Sequence, residues 1–441
     1  MTTSKTSRVT SGGGAHEPWL LLKVGTLIDG TGARASKDAA VLVHGARIVE
    51  VGPAGLVKPP SAAHVESLDL SDCTLIPGLV DSHFHVGYFG HLGLQELEYP
   101  ASLEFAAVCA GRNARVVLEA GCTSVLDVGC RGNIAVAVQK AVSSGVLVGP
   151  RSRVSGQIIC TRGGPLDFWP SAITIEPRTR LFAFVSGVEE IRAEVRQQWK
   201  AGVDNVKLQI TASTVQLGRR GAPTTFTPEE LACAVQTAHD CGLSVAAHAE
   251  GPASVQAAIH AGFDTIQHAS FLDDPTIDAL EKNPQTRVVF TLGVYESIIR
   301  DGLASGYDRD VVEKVADSWP RMLDAVRLAY KRGVPFTAGS DAGGRIHPHG
   351  RLAREGVILV RECGVSVEDA IRALTLHSAE AAWLPETGAI QPGRLADLVA
   401  VRGDLGARIE ALENIENIAL VVQGGNLIVG EPSRSMVGAG A

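Results

Sequence analysis

Residues 75–86 read Leu-Ile-Pro-Gly-Leu-Val-Asp-Ser-His-Phe-His-Val. An apolar run, Leu75-Ile76, meets a Pro77-Gly78 turn, and a second run, Leu79-Val80, delivers Asp81, His83 and His85. Residues two apart in a strand share a face, so His83 and His85 present two imidazoles side by side with Phe84 turned away. Two neutral imidazoles on one rigid wall are half of a metal site. Alone, an H-x-H also describes a pair of surface histidines. Here the pair ends an apolar strand, and further candidate ligands recur at the ends of later strands.

Outward from this stretch, apolar segments alternate with helical patterns. Strand candidates are 74–86, 123–129, 152–160, 205–210, 244–250, 265–270, 287–293 and 335–342, with the third unit the hardest to bound. Between them lie patterns such as PEELACAVQTAHDCG at 228–242, with Pro228 early and Gly242 past the end. Eight such alternations predict an α/β fold, a (β/α)8 TIM barrel over residues 74–385. Chemistry in that architecture gathers at the C-terminal ends of the strands.

Those ends carry a consistent set. The fourth strand, DNVKLQI, places Lys207 among apolar neighbours, where an amine is costly unless neutralised or paired. Addition of CO2 to the amine would give a carbamate, an anion suited to bridging two cations. The fifth strand ends in His248, the sixth in His268 and the eighth in Asp341. Each alone is bland; together with His83 and His85 they place six candidate ligands at five strand ends.

The flanks have a different texture. Residues 18–73 and 386–432 hold short strands and glycine turns, and read together as one discontinuous β-sandwich domain built from both ends of the barrel. Residues 1–17, rich in Ser, Thr and Gly, read as a disordered tail rather than a leader. Apolar residues make up 45% of the 441, enough for a large core, and the net charge is −8. This balance gives no footprint for nucleic acid, and no apolar run is long enough to span a membrane. Eight scattered cysteines without a C-x-x-C pair suit a reducing compartment, so a cytoplasmic location is expected.

The chain resembles the metal-dependent amidohydrolase superfamily, in the imidazolonepropionase-like and prolidase-type branch that includes phenylurea and thiocarbamate (molinate-type) hydrolases. PGLVDSHFH, AGVDNVKL, HAEGPASVQAAIHAGFDTIQH, TAGSDAG and GAIQPGRLADLVAV carry the resemblance, which covers nearly the whole chain. It implies a binuclear hydrolase with His83, His85 and Asp341 on the more buried metal, His248 and His268 on the second, and carboxylated Lys207 between them. The implied cofactors are two divalent ions, zinc first and cobalt or manganese next, with a bridging hydroxide as nucleophile and Asp341 as proton carrier. A homo-oligomer acting on a small molecule is expected.

Departures from the pattern bear on substrate. The lysine is followed by LQITASTVQLGRRG rather than a Gly-Gly loop, Asn205-Val206-Lys207 is similar to the form in phenylurea and thiocarbamate hydrolases, and Glu250 and Gln267 stand where relatives differ. His349, in RIHPHGR, is a second catalytic candidate. Tyr88, His91, Trp169, Glu250 and Arg345 are candidate pocket residues, with Phe168, Phe89, Arg219 and Arg220 also in reach of the mouth. A carboxylate at Glu250 would repel a substrate carboxylate. The leading expectation is therefore cleavage of a neutral urea, carbamate, thiocarbamate or anilide. The alternatives are an Xaa-Pro or Xaa-Lys/Arg dipeptidase, a metal-free binding or scaffold relative, and a mononuclear deaminase.

Overall fold

Gly78 divides the opening stretch between two parts of the structure. In this computed structural model the chain is described over residues 18–430, apart from 62, 92–95, 97–101, 165, 168–169, 171, 173–178 and 216–223. The expected disordered tail therefore lies outside the described residues, as do Phe168, Trp169, Arg219 and Arg220.

Upstream of Gly78, β1 (Trp19–Leu27), β2 (Ser36–His44), β3 (Arg47–Pro53) and β4 (Val65–Pro77) form one half of a mixed sheet, with β1 between β2 and β4. Downstream, β5 (Leu79–Phe84) starts the barrel. A side chain at position 78 would collide with Thr123, its Cβ falling 2.1 Å from Oγ1, so the junction requires glycine.

The barrel continues through β6 (Cys122–Asp127), β7 (Arg151–Arg153), β8 (Ile158–Thr161), β9 (Phe182–Val185), β10 (Asn205–Gln209), β11 (Ser244–Ala249), β12 (Thr265–His268), β13 (Arg287–Phe290) and β14 (Phe336–Ala338). All these pairings are parallel. The expected third strand, 152–160, is broken. β7 pairs with β6, Ser155 bridges to Asn205, and β8 then leans out between β10 and the additional strand β9. The break occurs where backbone groups serve other partners: the Gly156 carbonyl accepts from Cys130 N, and the Val154 carbonyl from Asp204 N.

Closure joins β14 to β5. Ser82 Oγ lies 2.8 Å from Thr337 Oγ1, and Asp341 N donates to the His83 carbonyl at 2.9 Å. A Cβ at Gly339 would lie 2.2 Å from His83 Cβ, so the eighth strand passes the first histidine only as glycine. Along β10, Val206 and Leu208 join the main apolar core, while Lys207 and Gln209 take the opposite face. Helix Pro228–Asp240 begins as its sequence predicts, with Thr227 and Glu230 capping each other and Pro228 in the first turn.

After the barrel, β15 (Leu398–Arg402), β16 (Ile418–Gln423) and β17 (Asn426–Val429) complete the sheet begun by β1–β4, through antiparallel pairing of β15 with β4. The result is one seven-stranded sheet rather than two separate ones. It curls until Arg47 bridges to Leu395, and its two halves share a core of Leu22, Val41, Leu75, Leu398 and Val422. The sandwich-like packing thus comes from a single curled sheet. No helix among the described residues is long and apolar enough to cross a membrane.

Candidate metal centre at the barrel mouth

His83 and His85 leave the end of β5 with their Nε2 atoms 3.2 Å apart. Each ring is fixed from behind. His83 Nδ1 donates to Gln267 Oε1 at 2.7 Å, and the Gln267 amide is oriented by donating to Thr265 Oγ1 at 2.9 Å. His85 Nδ1 donates to the Gly129 carbonyl at 2.8 Å. Both protons therefore sit on Nδ1, and two Nε2 lone pairs face each other with no proton between them. Asp341 Oδ1 lies 3.5 Å from His83 Nε2 and 3.6 Å from His85 Nε2. This arrangement is repulsive unless a cation relieves it, and donor atoms of His83, His85 and Asp341 all lie within 4.8 Å of one another.

The remaining expected ligands gather beside these three. The His268 ring is 4.8 Å from that of His83 and 4.5 Å from that of His248, and His268 Nδ1 meets Thr291 Oγ1 at 2.8 Å. His248 Nε2 is buried and has no hydrogen-bond partner. Lys207 is 2% exposed, and its Nζ likewise has no partner. A buried amine and a buried imidazole nitrogen without partners are costly and fit poorly with a site made for packing alone. They fit a site that holds metal ions. Burial holds all four imidazoles neutral, His85 down to about 3 and His83, His248 and His268 well below the ordinary value; Lys207 reinforces this. Burial likewise lowers Lys207 and raises Asp341.

The other candidates take distinct places. Tyr88 stacks on His85 with centroids 4.1 Å apart, and His91 meets Tyr88 edge-on at 5.0 Å. His349 directs Nε2 to the His85 carbonyl at 3.0 Å, and burial lowers it to about 4. Arg345 is half-exposed, 4.0 Å from Glu96, with its backbone N–H on the His91 carbonyl. Phe89 packs edge-on to Phe105.

Glu250 differs from its sequence reading. It is buried, 3.7 Å from His248 Nε2, and its oxygens accept from Thr214 N at 3.0 and 3.1 Å, from Thr214 Oγ1, from Ser213 Oγ at 3.2 Å and from Tyr295 OH at 3.2 Å. A carboxylate so surrounded is not the open charge that the expectation of neutral substrates required.

Residues supporting the site went unassigned in the sequence. Asp81 accepts from His83 N (3.2 Å), Ser340 N (2.9 Å) and Ser340 Oγ (2.5 Å), tying the first strand to the eighth. Asp127 accepts from Val86 N and Gly129 N, fixing the turn beyond His85. His347, with Nδ1 3.0 Å from Ser297 Oγ, braces the loop after β14. Asp81 was visible in the same motif as the histidines; the others have no local signal.

Residues 74–428 match the Amidohydrolase family. The chain belongs to this family. As an amidohydrolase it is a hydrolase acting on C–N bonds, and its fold is the family's TIM barrel. Its relatives include ochratoxinase of Aspergillus niger, 26% identical over 439 residues, covering 93% of this chain and 86% of that protein. A solved Xaa-Pro dipeptidase with methionine bound in its active site is 31% identical, with a TM-score of 0.83 over 93% of this chain and 99% of that one. Molinate hydrolase, at 20% identity and a TM-score of 0.77 over 96% of this chain and 100% of that one, shares the fold.

Proposed function

We propose that this amidohydrolase is binuclear and cleaves an amide-type C–N bond of a small substrate. The observation that carries this is the pair of facing Nε2 lone pairs at 3.2 Å beside an unpartnered buried lysine. His83, His85 and Asp341 would hold one ion and His248 and His268 the other, with Lys207, as its carbamate, between them. Two divalent ions, zinc first, would supply Lewis acidity toward a carbonyl and make water more acidic. Asp341 takes the proton of the attacking water and returns it to the leaving nitrogen. Tyr88, stacked on His85, closes one side of the mouth, and the buried surroundings exclude bulk water and strengthen each charge.

With Glu250 held by four donor groups, a substrate carboxylate is admissible. The relative at 31% identity carries methionine, an amino acid, in its active site. The first reading is therefore an amide whose released amine is an amino acid, as in an Xaa-Pro dipeptide, with Arg345 as the candidate partner for the carboxylate. The second is a neutral urea, carbamate or anilide. It is favoured because every donor around Glu250 is itself uncharged, so the collar of the site holds no cation among these groups.

Comparing kcat/KM of the metal-loaded protein for an Xaa-Pro dipeptide and an N-aryl carbamate decides between them. Preference for the dipeptide, reduced by Arg345→Met, is expected. A preference for the carbamate of roughly tenfold, about 1.4 kcal/mol in transition-state binding, overturns the first reading in favour of the second.

A further inference from the structure

We infer that Glu250 is a positioning residue that keeps the second metal position in shape, acting through the segment after β10 rather than by touching substrate. The inference rests on the binuclear reading of the site. Its chain of contacts is continuous. Glu250 follows β11, and both of its oxygens accept from Thr214 N; one accepts from Thr214 Oγ1 and the other from Ser213 Oγ. His248 stands two residues before Glu250, at the end of β11, with its ring 4.5 Å from that of His268. Its Nε2 is buried and has no hydrogen-bond partner. That nitrogen is the one open to an ion in the binuclear reading.

Tyr295 anchors the other side of the carboxylate. Its OH donates to Glu250 at 3.2 Å, and its ring stands 6.4 Å from that of His268. Glu250 thus joins the strand carrying His248, the segment after β10, and the helix Leu292–Ser305 beside His268. Backbone bonds support the same corner: Ile210 N donates to the His248 carbonyl at 3.1 Å, and Phe271 N to the Glu250 carbonyl at 3.0 Å. A group that directly binds substrate leaves lone pairs open toward the pocket. Here they are spent on the wall.

The test uses Glu250→Ala, Glu250→Gln and Thr214→Val in the full-length, zinc-loaded protein. Two readouts are taken: deuterium uptake of peptides covering 208–215, and the metal content left after timed exposure to a chelator. Glu250→Ala and Thr214→Val are expected to raise uptake in this segment and to release one of the two ions at least tenfold faster, as loss of an outer-shell partner does. Glu250→Gln, which still offers an acceptor to Thr214 N, should remain within about threefold of wild type, set against that tenfold outer-shell effect. Unchanged uptake in both Glu250→Ala and Thr214→Val overturns the inference. So does a Glu250→Gln variant as impaired as Glu250→Ala, because charge rather than positioning would then be what matters. Wild-type protein that binds a single ion overturns the binuclear reading instead, and the uptake measurement still decides whether Glu250 fastens the segment.

Discussion

Replacing Lys207 by Met should make the metal-free protein more stable and the metal-loaded protein inactive. The amine is buried without a hydrogen-bond partner, and burial pushes it down to about 7. In the unfolded chain a lysine titrates near ~10.4, so between about pH 7 and 10 the unfolded state binds the additional proton. Stability of the metal-free protein therefore rises with pH across this window and is lost as pH falls through it. At pH 7 the linkage cost is about 4 kcal/mol, and roughly 2 kcal/mol of it is recovered by pH 9. Met has a similar length and no charge to desolvate, so Lys207→Met should remove the cost and the pH dependence together. After differences in packing, a gain of roughly 1–4 kcal/mol is expected. Urea unfolding of chelator-treated wild type and variant at pH 7 and 9 measures both quantities. A variant no more stable than wild type at pH 7, or one retaining the wild-type slope with pH, would refute the account of Lys207 as a desolvated amine awaiting neutralisation. Wild-type turnover by the metal-loaded variant would refute its role as the bridge.

Asp341→Asn should lower kcat by on the order of 10² while leaving the fold intact, as removal of a proton carrier does. Burial raises the Asp341 carboxyl, so wild-type activity should fall on the acid side as this group gains a proton; a flat acid limb would assign proton transfer elsewhere. Gly339→Ala should displace His83, because the added Cβ would lie 2.2 Å from His83 Cβ. Elemental analysis should find it depleted of metal relative to wild type, and full occupancy would show that the strands can separate there.

The barrel and the gathering of the candidate ligands were legible because both obey short-range rules. Strand periodicity placed His83 and His85 on one face, and the alternation of apolar strands with capped helices counted out the eight units. The third unit was not legible, because its break at Val154–Gln157 serves Asp204 and Cys130, which are distant in sequence. The same limit hid the partners of the rings. Gln267, Gly129 and Thr291 fix three of the imidazoles through contacts set by the register between neighbouring strands, and nothing local to those residues marks them. Glu250 shows how a correct placement can mislead. Its position after His248 was readable, but the groups that engage its oxygens come from elsewhere, Thr214 from the segment after β10 and Tyr295 from the helix Leu292–Ser305.

His268 shows where periodicity alone fails. Gln267 and His268 are adjacent, so in a regular strand they point to opposite faces. Gln267 faces the barrel, where it holds His83, and a regular His268 would face the surrounding helices. Yet His268 stands in the site, 4.8 Å from His83. The backbone explains this: His268 has φ +72° and Ala269 +45°, both in the left-handed region. Such conformations cost of order 1–3 kcal/mol each and persist where neighbours over-determine them. Here the neighbours are backbone bonds from Ala269 N to the Ala249 and Gln267 carbonyls, at 3.1 and 3.0 Å. Asp341, the candidate ligand after β14, is also left-handed, at φ +49°. Two of the expected ligands thus reach the centre by turning the chain against its preference just past a strand end. In the sixth strand this lets two consecutive residues face the site, His268 as a candidate ligand and Gln267 to orient His83.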